Sequence, residues 1–91
     1  MALVHTNTTV GTTATLICQL PAGLKYTAVS IYNNDNNPIF LGDASITTST
    51  GTQVTSKAVA SQLWLNAGDK LYAVSAAGTT AGAVSIIYSG I

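Results

Sequence analysis

Charge is what this sequence lacks most. Its 91 residues include three lysines and three aspartates, with no glutamate and no arginine, and the formal net charge is zero. A charged share of 7% stands against about 25% in ordinary soluble domains. Lys25, Lys57 and Lys70 are dispersed, so no cationic patch is available for phosphates and nucleic acid is not expected as a partner. Little long-range repulsion is left to keep copies apart, and a neutral surface favours association. Solubility has to rest on Thr, Ser, Asn and Gly.

Other absences narrow the field further. Cys18 is the single cysteine, which excludes an intrachain disulfide. His5 is the single histidine, so a positioned titratable pair for acid–base catalysis cannot be assembled and no enzyme is expected. His5, Cys18 and three scattered aspartates are a poor ligand supply, so no metal and no cofactor is expected. The N-terminus has no basic run followed by an apolar stretch, as a secretory signal would. No apolar segment approaches the roughly 20 residues that cross a bilayer, and no membrane partner is expected. Gly11, Gly78 and Gly82 are not followed by Gly-Lys-Ser/Thr, so no phosphate loop is read.

What is present favours strands. Val, Ile, Thr and Tyr are abundant and the best helix formers are scarce. Short segments separated by Gly, Pro, Asn and Asp predict one all-β domain over residues 1–91, a compact antiparallel β-sandwich, jelly-roll or Ig-like, of about six to seven short strands. Residues 13–20 alternate, with Ala14, Leu16, Cys18 and Leu20 assigned to one face and Thr15, Ile17 and Gln19 to the other. Residues 26–33 form the next strand, with Val29 and Ile31 opposite Tyr26 and Tyr32. The run Asn-Asn-Asp-Asn-Asn-Pro at 33–38 is the strongest turn signal, and it predicts a hairpin to a short strand at 39–42. Residues 43–56 read as a loop with short strand pieces, anchored by Ile46 and Val54. Residues 56–65 suit helix or strand; the Asn66-Ala67-Gly68-Asp69 turn favours a strand at 61–65. Strands follow at 70–75 and 83–89.

Residues 1–9 read as an N-terminal arm in which Leu3, Val4 and His5 add to a neighbour's sheet edge, or as a frayed terminus. Cys18 shares the parity of Leu16 and Leu20 and belongs in the core. Asp35 lies in an Asn-rich run that superficially suits calcium, but one carboxylate points to a turn rather than a metal loop. Asp69 reads as the cap of the 66–69 turn and Asp43 as a cap at the end of a strand. Trp64 lies between Leu63 and Leu65, so it faces away from the core if they face it. With Tyr26 and Tyr32 it marks a second sheet face, covered by a neighbouring subunit. Two other readings of Trp64 stand beside this one: a core tryptophan shifted by a bulge, and a platform for sugar. A chain this short buries only about 60–65% of its unfolded surface, and with no disulfide or metal, oligomerisation is the support that remains.

Val29-Ser-Ile-Tyr-Asn-Asn34, Pro38-Ile-Phe-Leu-Gly42, Ile46-Thr-Thr with Gly51 beyond, and Leu65-Asn-Ala-Gly-Asp-Lys-Leu-Tyr-Ala-Val-Ser75 together resemble small β-sandwich virion proteins of tailed bacteriophages. The resemblance spans about residues 26–75 and is to capsid decoration (cement) or head-fibre proteins. It implies a structural protein of the virion, made in the host cytoplasm. Such a protein binds the outer surface of the phage head and stabilises it, with the major capsid protein and its own copies, as a homotrimer, for partners. Leu3, Val4, His5, Tyr26, Tyr32 and Trp64 are then the expected contact residues. The alternative is a receptor- or glycan-binding module of a fibre or adhesin.

Overall fold

A computed structural model of the protein describes residues 3–20 and 27–89. Eight strands form: β1 (Leu3–Thr8), β2 (Thr15–Gln19), β3 (Thr27–Asn33), β4 (Ile39–Gly42), β5 (Thr52–Val54), β6 (Ala58–Leu65), β7 (Lys70–Val74) and β8 (Val84–Ser89). They make two four-stranded sheets, ordered β1-β8-β3-β6 and β2-β7-β4-β5. Every neighbouring pair is antiparallel.

The pairs β4–β5, β3–β6, β2–β7 and β1–β8 are nested, as if one long ribbon had been folded at β4–β5 and then rolled so that alternate pairs fall in alternate sheets. That is a jelly roll, which settles the choice between the two sandwich types. Of the ambiguous residues 56–65, Ser56 and Lys57 form a turn and the rest are extended, so the strand runs from Ala58 rather than from 61. β5 is one of the short strand pieces expected in the Thr/Ser-rich loop at 43–56, and with β1 the strands number eight rather than six to seven. Residues 3–8, expected as an arm reaching a neighbour, pair in regular register with the chain's own β8.

The core lies between the sheets and follows strand alternation. Val29, Ile31, Val84, Ile86 and Tyr88 point inward from one sheet. Ile17, Cys18, Ile39, Leu41, Val54, Leu71 and Ala73 meet them from the other, and Val10 and Leu20 close the ends. One parity assignment fails. The β2 register slips between Leu16 and Cys18, so Ile17 and Cys18 are both buried while Leu16 is 41% exposed. A bulge places two successive side chains on one side, and three apolar residues in a row give no alternation to reveal it. Between β4 and β5 the chain folds back on itself: a Cβ at Gly42 would overlap the Ile46 side chain, and one at Gly51 would press on Phe40.

The turn at 33–38 does reverse the chain, but it does not make a hairpin, because β3 and β4 belong to different sheets. It is an arch between layers, built on a buried polar node. Asn33, the last residue of β3, is fully buried. Its Nδ2 donates to the carbonyls of Asn37 at 3.0 Å, Val54 at 3.3 Å and Thr55 at 3.2 Å, and its Oδ1 accepts from the Asp35 N–H at 3.1 Å. Leaving such an amide unpaired costs about 1–3 kcal/mol, so the arch and the end of β5 are held together. Asp35 is buried too. Its Oδ2 accepts from the Asn37 N–H at 2.9 Å, and its Oδ1 from the N–H and hydroxyl of Thr80 at 2.9 and 3.1 Å. The β3–β4 arch is thereby tied to the β7–β8 arch. No cation partners this carboxylate among the described residues; Lys57 Nζ instead donates to the carbonyl and Oδ1 of Asn34, both at 3.1 Å.

Two measurable consequences follow from these placements. Ile17→Ala should cost about 2–5 kcal/mol in chemical denaturation, as for a buried Ile, and Leu16→Ala less than about 1 kcal/mol; equal costs would deny the bulge. The second concerns acid. The Thr80 N–H foremost, then the Asn37 N–H, hold the Asp35 carboxyl below its usual value despite burial, and Ser45 does the same to Asp43. A folded value below the unfolded one means stability present above about pH 4 and lost as pH falls further. Asp35→Asn should lower stability at pH 6 and flatten, without abolishing, the loss between about pH 4 and 2.

Candidate functional site

Among the described residues the titratable groups do not converge. Asp69 accepts from the Asn66 N–H at 2.7 Å and closes its turn as expected, while Asp43, just past the end of β4, accepts from the N–H and hydroxyl of Ser45. Asp35 is spent on the arches. Cys18 is buried, and burial pushes its thiol above the ordinary value, away from a reactive thiolate. Burial, with Cys18 nearby, also raises the Tyr88 hydroxyl. Among the described residues no three His, Cys, Asp or Glu side chains come close enough to share a metal ion.

What the fold does assemble is a surface. Among the described residues six large apolar or aromatic side chains stand exposed: Leu3, Leu16, Tyr32, Val59, Trp64 and Ile87. Five of them, all but Leu16, lie on the outer face of the β1-β8-β3-β6 sheet. The register shows how. Side chains opposite one another in a ladder share a face, and the inward set is fixed by Val29, Ile31, Ile86 and Tyr88. One outward row runs Asn7, Ser85, Tyr32, Val59; the next runs His5, Ile87, Ser30; a third carries Leu3 at one edge and Ala28 beside Trp64 at the other. None of these residues carries a formal charge with His5 neutral.

Exposure along the face is substantial: Leu3 69%, Val59 60%, Trp64 50%, Ile87 44% and Tyr32 36%. The short side chains of Ser30 and Ser85 leave a shallow groove of about 430 Å³ between Tyr32, Val59, Ile87 and His5. Its polar groups are modest: the Ser85 hydroxyl donates to Asn7 Oδ1 at 2.9 Å, and the Tyr32 hydroxyl to Asn34 Oδ1 at 3.4 Å. Such a face can exclude water from an apolar partner at little electrostatic cost.

Leu3, His5, Tyr32 and Trp64 from the expected contact set all lie on this face. Val4 does not: it stands opposite Tyr88, half-buried, and packs on the core. Tyr26 lies outside the described residues. Leu63 and Leu65 pack against the core, so Trp64 turns outward and the core reading of it falls. Val59 and Ile87 went unnoticed in the sequence. The signal for Ile87 was there, since it breaks the inward parity of Val84, Ile86 and Tyr88; Val59 was hidden in the stretch that suited helix or strand.

A second groove, about 470 Å³, lies between residues 12–14, 44–48 and 74–76. It is lined by hydroxyls of Thr12, Thr13, Ser45, Thr47 and Thr48 around Ile46, and holds no titratable side chain. The Ser75 hydroxyl beneath it is buried and has no hydrogen-bond partner among the described residues.

The face makes a sharp contrast testable within one strand. Ile87→Lys should change unfolding free energy by less than about 1 kcal/mol while raising solubility and suppressing self-association, whereas Ile86→Lys, one residue earlier and buried, should prevent folding. Circular dichroism with light scattering of both variants checks this. No family model, no curated protein and no solved structure matches this chain.

Proposed function

We propose that this protein is a structural component of a phage virion, a decoration or cement protein that binds the outer surface of the head through its uncharged sheet face. The single observation that carries the reading is the concentration of exposed apolar side chains on one charge-free face of a neutral domain. The resemblance of residues 26–75 to phage decoration and head-fibre proteins supplies the partner class, and a jelly roll is a frame that virion proteins use. Fold alone does not fix function, so the face and the resemblance have to bear the reading together.

The mechanism is burial. Leu3, Ile87, Val59, Tyr32 and Trp64 leave water on contact with the major capsid protein and with neighbouring copies, in the trimer that the resemblance implies or in another closed arrangement. Binding to the assembled head but not to its separated subunits stabilises the head by mass action. With no formal charge in the contact, salt has little to screen.

A second reading has its own support. The half-exposed Trp64 and the hydroxyl-lined groove beneath Thr12, Thr47 and Thr48 suit a glycan, as in a receptor-binding module of a fibre or adhesin. In that case sugar titration shifts Trp64 fluorescence, and heads are not bound.

Co-sedimentation with empty heads, followed by thermal melting of the heads, separates the two. Bound protein should raise the head melting temperature, with occupancy nearly constant from about 0.05 to 0.5 M salt. Ile87→Lys and Trp64→Lys should each abolish binding. A steep loss with salt, or heads bound equally well by both variants, would refute the reading.

A further inference from the structure

A sandwich of two open sheets has four edge strands, and an unprotected edge is a template for another strand. Here three of the four are blunted. β5 has three residues. β2 is bulged between Leu16 and Cys18. β6 is bulged as well, with two of its residues opposite the single Ser30 of β3, and it follows directly on Lys57 at φ 57°. β1 is different: six residues, Leu-Val-His-Thr-Asn-Thr, with no proline, no charge and an unbroken register to β8. Among the described residues no strand covers its outer side.

Size gives a second argument, which rests on the function proposed above. The four strands of this sheet are six to eight residues long. At about 4.8 Å between strands and 3.3 Å per residue, the outer face measures roughly 19 by 20 Å, on the order of 400 Å². Two faces joined side by side double the footprint offered to a partner and bring the contact nearer to the size of a stable one.

We propose that two copies of this chain pair through β1, antiparallel across a twofold axis, fusing their sheets into one eight-stranded sheet with a single continuous docking face. Opposed side chains in an antiparallel ladder share a face. Both outer faces therefore lie on the same side only if residues of like parity meet, which puts either His5 or Thr6 on the twofold; a one-residue slip would turn one copy over. In either register Leu3, His5 and Asn7 of both copies join the outer rows. The contact is isologous and closes as a pair. A trimer requires two different surfaces to meet, and the unlike β1 and β6 edges do not offer matching ladders.

Light scattering of the purified chain should give twice the 9.3 kDa chain mass, or an even multiple of it. Thr6→Lys places a charge on the edge, the commonest natural block to strand pairing, and should halve that mass with the circular dichroism spectrum unchanged. Under mild oxidation one of His5→Cys and Thr6→Cys should cross-link to a dimer, because Cα atoms opposed across the twofold fall within disulfide reach; Val59→Cys, on the far edge, should not. A monomeric or trimeric wild type, a Thr6→Lys variant that keeps its mass, or cross-linking through Val59 but through neither β1 position would overturn the pairing. Monomers or trimers that still bind heads would leave the proposed function standing, and dimers that bind no head would refute that function while leaving the pairing.

Discussion

The fold depends on what happens where the chain passes between sheets. Of the seven links joining eight strands, only the one between β4 and β5 stays within a sheet, so ladder hydrogen bonds cannot secure the other six. At the end of the sandwich where β3 finishes, a buried amide and a buried carboxylate do this instead. Asn33 joins its own arch to the end of β5, and Asp35 joins that arch to Thr80 in the β7–β8 link. The β1–β2 link is laced to the same end through Val10 and Thr79, whose backbone and hydroxyl groups exchange bonds at 2.8 and 2.9 Å. The carboxylate keeps its charge without a counterion because backbone N–H groups solvate it. One of the few charges in the chain is therefore used to close the fold rather than to decorate the surface.

That economy has a counterpart outside. With the aspartates committed to turns and the lysines dispersed, the outer face of the β1-β8-β3-β6 sheet is left neutral and substantially apolar. In a free-standing small domain such a face would be a liability. In an assembly it is an asset, since burying it removes apolar area from water with no charge to desolvate. The regular, uncharged β1 edge borders the same face.

Much of the strand layout was legible because β-branched residues alternate and turn residues punctuate them. β3, β7 and β8 lie close to where alternation and flanking turns place them, and Cys18 is in the core. Connectivity was not legible. Asn and Asp at 33–38 specify a reversal, and the same chemistry serves a hairpin within a sheet or an arch between two. Leu16-Ile17-Cys18 hid its bulge because all three are apolar, and Leu3–Thr8 looked like an arm because a polar-rich edge strand has no buried face to announce it. Of the exposed outer face, Trp64 and Tyr32 could be found by parity; Val59 could not, because its strand suited a helix as well.

Trp64 is the sole tryptophan and lies within the face that the account says becomes covered. Acrylamide quenching of its fluorescence, compared between dilute free protein and protein bound to heads, therefore reads the central claim directly. Binding to heads should blue-shift the Trp64 emission and markedly lower its quenching constant. Unchanged emission and quenching, with binding confirmed by co-sedimentation, would show that another surface makes the contact and would contradict it.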